Sequence, residues 1–257
     1  MTDEPYRYVE AMANRREYVE TQLVAASPVV ALNYNGGILF LTIAPEPQKI
    51  FEIYDRIALG AMGHPGDVER LRMTAIEIAS AEGFTRSPAD VSLRRLANFS
   101  FSPLLKNTFE QVYGSVFIVR LLFAELGATS KTDLFVRVDF DGTLQTGGGA
   151  TRKSFGVLGG TTTAEQAMNQ FLLTKAKPNL TLDAALQIAL LTWAVGSQVE
   201  PVDSPDEGKL TEILRDALSS KVVEAAVLDR NTGSKVSYRT LNEMELRKTV
   251  NRITRER

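Results

Sequence analysis

The pattern of apolar and polar positions in the first quarter of the chain predicts one surface helix followed by four short strands. Residues 5–25 carry a mixed apolar stripe between charged positions, which is typical of a helix that packs on a partner. Residues 29–43 read as two strands around Asn35-Gly36, the strongest short hairpin signal, whose tight turn needs positive φ at both central residues. Residues 49–63 predict two more strands.

Two helices are predicted next, and the second contains a proline. The first begins at Asp67 and brings apolar residues back to one face at helical spacing. The second begins with Ser87 as its cap and runs toward Tyr113. Because proline lacks an amide hydrogen and clashes with the preceding turn, we expect Pro103 to kink or split this helix near Phe101.

The rest of the chain continues with strands and helices in adjacent pairs. The predicted strands are 116–123, 133–140, a return strand after Asp141-Gly142, 153–160, and a hairpin of 222–230 with 235–241. The predicted helices are 162–176, 181–196, 208–219 and one at the C-terminus. Within 133–140, Leu134, Val136, Val138 and Phe140 should share one face, and Arg137 and Asp139 the other.

This order of elements favours one fold class. Strands that come in pairs indicate two packed antiparallel sheets with helix pairs outside, rather than a doubly wound parallel sheet. The chain has 257 residues, of which 44% are hydrophobic, enough to bury one substantial core. No boundary or internal repeat interrupts the pattern, so residues 1–257 are predicted to form a single α+β domain.

Composition excludes several functional classes. A net charge of −2 gives no long-range field for nucleic acid or an anionic membrane. The absence of cysteine excludes disulfides, thiolate catalysis and zinc–thiolate sites. No signal peptide is recognisable, and Arg120, Asp183 and Gln187 interrupt the most apolar stretches. We therefore expect a soluble, cytoplasmic protein that binds neither nucleic acid nor membrane.

Several candidate chemical groups have a simpler structural explanation. His64 is the single histidine and lies among glycine and proline, which favours a turn over a metal site or a catalytic relay. The glycines of 147–154 lack the spacing of a phosphate loop. Asp139 and Asp141 flank a hairpin turn and receive no role. The basic run 247–257 is predicted to be a solvated helix end.

A Gly-Thr-Thr junction could mark a self-processing threonine hydrolase. That interpretation needs a cut after Gly160, so that the amine of Thr161 activates its own hydroxyl. The alternative is a helix start, in which Thr162 and Glu165 form a capping box. We favour the cap, because the new terminus would lead into a helix rather than a strand.

The ordered set of segments resembles the subunits of the proteasome core, and most closely the bacterial α-type. "ASPVVALNYNGGILFLT" and "PQKIFEIYDRIALGAMGH" match the first four strands, and four further segments extend the register over nearly the whole chain: 11–23, 67–87, 158–168 and 222–231. The resemblance implies the N-terminal-nucleophile hydrolase fold, a four-layer αββα sandwich. It also implies that residues 5–25 form the extra N-terminal helix of α-type subunits, which contacts neighbours in the ring.

The same resemblance implies that the chain has no catalytic residues. The nucleophile position falls on Ser27, which no glycine precedes, the aspartate position falls on Ile43, and the lysine position falls on Lys49. Without the carboxylate and a processed terminus, the hydroxyl lacks its activation. An active self-processing peptidase that begins at Ser27 or Thr161 is the alternative, and a solitary binding protein of the same fold is a third possibility.

The resemblance implies a structural role for the chain instead of a catalytic one. Seven α-type chains form the outer ring that caps a β-type ring, gates substrate entry and receives a ring ATPase or another activator, with no cofactor or metal. In this reading Lys49 binds the C-terminal carboxylate of the activator between neighbouring subunits. Without the resemblance, Lys49 would be a solvated lysine at a strand start. Pro103 could alter ring contacts.

Overall fold

The computed structural model describes residues 4–46, 48–111, 113–148, 154–198 and 206–255. Its strands are β1 (Val29–Tyr34), β2 (Gly37–Ala44), β3 (Ile50–Tyr54), β4 (Ile57–Gly63), β5 (Val119–Glu125), β6 (Leu134–Asp139), β7 (Leu144–Gly148), β8 (Phe155–Leu158), β9 (Val222–Asp229) and β10 (Tyr238–Thr240). Its α-helices are α1 (Glu4–Leu23), α2 (Pro65–Thr85), α3 (Leu93–Arg95), α4 (Ser102–Glu110), α5 (Thr162–Lys175), α6 (Leu182–Gly196), α7 (Glu207–Ser220) and α8 (Glu243–Arg255).

The strands form two antiparallel sheets of five strands each, which confirms the predicted α+β sandwich. The first sheet has the order β10-β9-β2-β1-β8, and the second has the order β3-β4-β5-β6-β7. The outer face of the first sheet packs against α5 to α8, and that of the second against α2 to α4. The inner faces meet in a third apolar cluster, to which Phe40, Leu122 and Phe135 contribute fully buried side chains.

The first hairpin forms as predicted, but the prediction of its turn was wrong. Neither Asn35 nor Gly36 has positive φ; Gly37 has it instead, at 156°. Strand β9 lies so close that a Cβ on Gly37 would be 1.9 Å from the carbonyl oxygen of Leu228. The contact with a distant strand therefore decides where the glycine is needed.

The predicted helix 87–113 does not form as one helix, because it is interrupted between Asp90 and Leu93. Ser87 caps a short 3₁₀ turn, Pro88–Asp90, and α3 begins only at Leu93. A π-helical segment, Leu96–Phe101, then leads into α4, with Pro103 in its first turn. Near Phe101 the helix changes from π to α geometry but is not split, because Phe101 and Ser102 both keep helical φ and ψ. The earlier break has a tertiary cause, because the Glu125 carboxylate accepts a hydrogen bond from the Leu93 amide at 2.9 Å.

Phe140 does not share a face with Leu134, Val136 and Val138. Those three side chains pack toward the helices, whereas Phe140 packs between the sheets with Phe135. Strand β6 ends at Asp139, so the alternation stops one residue before Phe140. None of the described helices has the length and apolar character that crossing a membrane requires.

Helix α1 has two different faces. Val19 and Leu23 are fully buried in the cluster between the sheets, whereas Tyr8, Val9 and Tyr18 are exposed. An anchor lies at mid-helix, where the guanidinium of Arg16 donates to Asp141 at 2.6 Å and lies over the rings of Phe109 and Phe140. The face of the helix that carries Val19 and Leu23 therefore belongs to the core of the sandwich, whereas residues 7–10 and Tyr18 face away from it.

We expect Leu23→Ala to lower the free energy of unfolding by about 3 kcal/mol, because it leaves a cavity in the core between the sheets. Val24→Ala is the matched control, since Val24 is the next residue and is 57% exposed; its effect should stay below about 0.5 kcal/mol. Urea denaturation followed by tryptophan fluorescence measures both. Equal effects of the two substitutions would contradict the burial of α1.

Candidate functional site

The segments that the family resemblance singles out meet at one end of the sandwich. Strand β2 ends there beside the start of β9, with Ala44 opposite Val222 and Thr42 opposite Glu224. Strand β1 begins there just after Ser27, and β3 begins there just after Lys49. Ser27 and Lys49 therefore both lie at the end of the sandwich where β2 ends and β9 begins.

Among the residues that the structure describes, Ser27 has no base as a hydrogen-bond partner. Its hydroxyl donates to the carbonyl oxygen of Ile43 at 2.5 Å. The side chain of Ile43 is fully buried in the cluster under the outer helices, so it offers neither a carboxylate nor room for one. The amide of Ala26 in turn donates to the carbonyl oxygen of Leu23 at 3.0 Å. The Ser27 position is thus tied to the end of α1 on one side and to β2 on the other.

Helix α1 also closes this end of the sandwich. Its last carbonyl groups lie against the turn between β8 and α5, where a Cβ on Gly160 would be 2.3 Å from the carbonyl oxygen of Val24. Burial opposes ionisation of Asp141, but hydrogen bonds from Arg16 and Thr143 outweigh it and hold the pKa of that carboxyl below its usual value. The Arg16–Asp141 pair therefore remains charged at neutral pH and holds the helix in place.

Thr161 is the cap of α5, which corrects the prediction that Thr162 has this role. Thr161 has extended φ and ψ, and its hydroxyl accepts from the amide of Ala164 at 3.1 Å. Thr162 is the first residue of the helix. The capping box was also a wrong prediction, because Glu165 turns into the protein and accepts from the amide of Gly159 at 3.1 Å.

Glu165 belongs to a buried network of four charges that the sequence did not reveal. Arg120 lies opposite Asp139 across β5 and β6, with its Nε 3.2 Å from an aspartate oxygen. Arg137 pairs with Asp139 at 2.7 Å and also with Glu165. Arg120 donates to the carbonyl oxygen of Gly159 at 2.7 Å. The network thus fixes the glycine turn against which α1 ends.

The charges within this network compensate one another. Burial disfavours the charged form of Arg137, but Asp139 and Glu165 outweigh it and raise the pKa of the guanidinium. Asp139 was predicted to have no role, and its ion pairs with Arg120 and Arg137 correct that prediction. The one available signal was Arg120, a cation in an otherwise apolar strand, which demands a buried anion without identifying it.

Lys49 lies in a segment that Glu224 holds. The Glu224 carboxylate accepts hydrogen bonds from the consecutive amides of Gln48, Lys49 and Ile50, each at 3.0 Å. The phenol of Tyr238 donates to the carbonyl oxygen of Ile50 at 3.1 Å, and burial raises the pKa of this phenol to about 12. Two side chains of the first sheet thus secure the start of β3.

Opposing effects act on the charge of the Lys49 ammonium. Burial lowers the pKa of Lys49, the charge of Glu224 opposes that shift, and the charge of Lys221 adds to it. Among the residues that the structure describes, no carboxylate forms an ion pair with Lys49 within 4.0 Å. A half-buried cation in this state is suited to bind an external anion.

The remaining candidates from the sequence have structural roles or lie partly outside the described residues. His64 caps α2, with its Nδ1 accepting from the amide of Gly66 at 3.2 Å. The described part of the run 247–257 lies in α8, where Arg252 pairs with Asp183 at 2.7 Å. Most of the glycine-rich segment 147–154 is not described. No group of potential metal ligands occurs in the described ranges.

Comparisons with known proteins agree with this geometry. The profile of the family described as "Proteasome subunit" matches residues 26–198. The proteasome subunit alpha of Sanguibacter keddieii is 32% identical over 231 residues, which cover 86% of this chain and 78% of the relative. That of Thermomonospora curvata is 30% identical over 224 residues (86% of each chain), and that of Mycobacterium tuberculosis is 32% identical over 235 residues (86% and 83%). The chain belongs to the proteasome subunit family, as a subunit of the bacterial α-type.

Proposed function

We propose that this α-type subunit is non-catalytic and forms the outer ring of a proteasome core particle. Seven copies, each a single domain of residues 1–257, would narrow the axial entrance above a ring of β-type subunits. A ring ATPase or another activator would dock on the outer face, and the assembly would degrade cytoplasmic proteins. The observation that carries the proposal is the position of Ser27, which follows a helix anchored in the core by Val19 and Leu23 and donates its hydroxyl to a carbonyl group.

The chemistry of an N-terminal nucleophile supports the absence of peptidase activity. Such a residue uses its own free amine as the base for its hydroxyl. At Ser27 the amine is part of a peptide bond, and the aspartate position holds the buried Ile43. Removal of residues 1–26 would also extract Val19 and Leu23 from the core between the sheets. The energetic cost of that extraction argues against the self-processing alternative.

The exposed face of α1 supports the ring. Three large apolar or aromatic side chains on this helix, Tyr8, Val9 and Tyr18, are between 42% and 66% exposed. Exposed apolar surface on a helix face that points away from the core is typical of a contact between subunits. This surface is where we place the neighbour in the ring, as the sequence predicted for residues 5–25.

The environment of Lys49 supports activator docking. A half-buried ammonium without an ion-pair partner gains a charge-assisted hydrogen bond when a C-terminal carboxylate enters. A groove that excludes part of the water strengthens this contact relative to one at the open surface. A solvated lysine, the alternative for this position, would instead keep an ordinary pKa.

We expect the purified chain to leave fluorogenic peptides uncleaved, and Ser27→Ala to change nothing. Addition of the β-type partner should restore cleavage equally in the natural and the Ser27→Ala particles, since the nucleophile belongs to the partner. Peptide fluorescence over several hours measures the rates. Cleavage by the chain alone that Ser27→Ala abolishes would replace this proposal with the self-processing peptidase.

We expect Lys49→Met to reduce activator-stimulated degradation by the assembled particle about tenfold or more, because the activator carboxylate loses its charged partner. Lys175→Met is the control, since this exposed lysine lies on α5, in the outer helix layer. The stimulated rate should also fall as pH rises through the lowered pKa of Lys49, before an ordinary lysine of pKa 10.5 loses its proton. Unchanged stimulation in Lys49→Met would contradict the docking role.

A further inference from the structure

We propose that Glu224 is the positioning residue for Lys49: its carboxylate fixes the backbone from Gln48 to Ile50, so that the lysine is presented to the carboxylate of a docking partner. The proposal rests on the proposed docking function of Lys49 and adds a residue from a distant strand to that site. Glu224 and Lys49 are separated by 175 positions in the chain and meet only because β3 and β9 lie on facing sheets.

In this contact three backbone amides form an anion-binding site, and the anion that they bind is the carboxylate of Glu224 itself. Glu224 shares its side of β9 with Ala226 and Leu228, whose side chains pack between the sheets, so its carboxylate reaches across to the second sheet. Successive backbone amides that converge on one carboxylate are a strong arrangement for binding negative charge. Since Glu224 already occupies these amides, the carboxylate of a partner would pair with the ammonium of Lys49, near which a second cation, Lys221, also lies.

The backbone at this point does not hold its own conformation. Gln48 has φ of 142°, a region that residues with a side chain rarely adopt. Such a conformation persists only where the surroundings impose it. The Glu224 carboxylate contacts the amide of Gln48 itself, and the Tyr238 phenol holds Ile50 from the same sheet. Loss of the carboxylate should therefore allow Gln48 to relax and Lys49 to move.

Glu224 also acts on the charge of Lys49. Of the nearby charges, Glu224 favours the protonated ammonium, whereas Lys221 and burial disfavour it. Removal of the Glu224 charge would thus shift the site further toward a neutral amine. A neutral amine cannot form an ion pair with a carboxylate, so the positioning and the electrostatic effects of Glu224 act in the same direction.

Hydrogen–deuterium exchange tests the positioning without any activator. We expect Glu224→Gln and Glu224→Ala to accelerate exchange at the amides of Lys49 and Ile50 about tenfold or more, because charge-assisted hydrogen bonds are lost. Exchange in β1 and β5 should not change, which verifies the fold. The matched control is Glu52→Gln, a carboxylate on the adjacent β3 that does not contact these amides. Unaltered protection at Lys49 and Ile50 in both variants would overturn the proposal.

Peptide binding separates this proposal from the docking function on which it rests. The probe is a pool of fluorescein-labelled octapeptides with free C-terminal carboxylates, added to the assembled ring and compared by anisotropy with the same pool bearing C-terminal amides. We expect Glu224→Gln to weaken carboxylate-dependent binding about tenfold, as Lys49→Met does, and Glu52→Gln to leave it within about twofold.

The outcomes are distinct. If Lys49→Met abolishes binding and Glu224→Gln does not weaken it, positioning by Glu224 is wrong and docking at Lys49 stands. If the natural chain does not distinguish carboxylate from amide, the docking function fails, and Glu224 is then a structural clamp rather than a positioning residue.

Discussion

The burial of one face of α1 between the two sheets is the constraint on which the rest of this structure depends. Val19 and Leu23 fill the end of the inter-sheet space, and the end of the helix lies against the Gly159–Gly160 turn. Ser27 follows directly and therefore cannot become a chain terminus without loss of core packing. The same element that completes the core thus removes the free amine that catalysis in this fold requires.

Two carboxylates, the buried Glu165 and the half-buried Glu224, organise this end of the molecule in different ways. Glu165 joins two arginines and Asp139 in a network of ion pairs. Glu224 instead uses backbone amides as its partners and leaves the neighbouring Lys49 ammonium unpaired. Buried charges are tolerated only with such compensation. The network accounts for rigidity near α1, and the open lysine accounts for the proposed docking of an activator.

The sheets and most helices could be predicted because their signals are local. Alternation within strands and helical spacing extend over a few residues, and paired strands indicated an antiparallel sandwich. The charged groups could not be paired in this way. Arg137 and Glu165 are 28 positions apart, and Glu224 is 175 positions from Lys49. Their meeting depends on sheet order, which no short pattern in the sequence contains.

The two wrong predictions of local structure, the capping box at Thr162 and the Asn35-Gly36 turn, have a similar origin. The capping box at Thr162 has the correct spacing, but buried arginines attract Glu165 more strongly than a helix amide does, and the cap moves to Thr161. The Asn35-Gly36 turn has a correct hairpin signal, but the approach of β9 moves the positive φ to Gly37. In both cases a tertiary contact overrides a valid local preference. The family resemblance alone indicated Lys49 as a site residue, whereas no pattern in the sequence indicated Glu224.

The most direct test of the account is a native mass spectrum of the full-length protein, recorded before and after prolonged incubation with and without the β-type partner. We predict rings of intact chains, each with its N-terminal helix still attached, because burial of Val19 and Leu23 protects the peptide bond before Ser27. A chain shortened to begin at Ser27 or Thr161 would contradict the account and identify the protein as a self-processing enzyme.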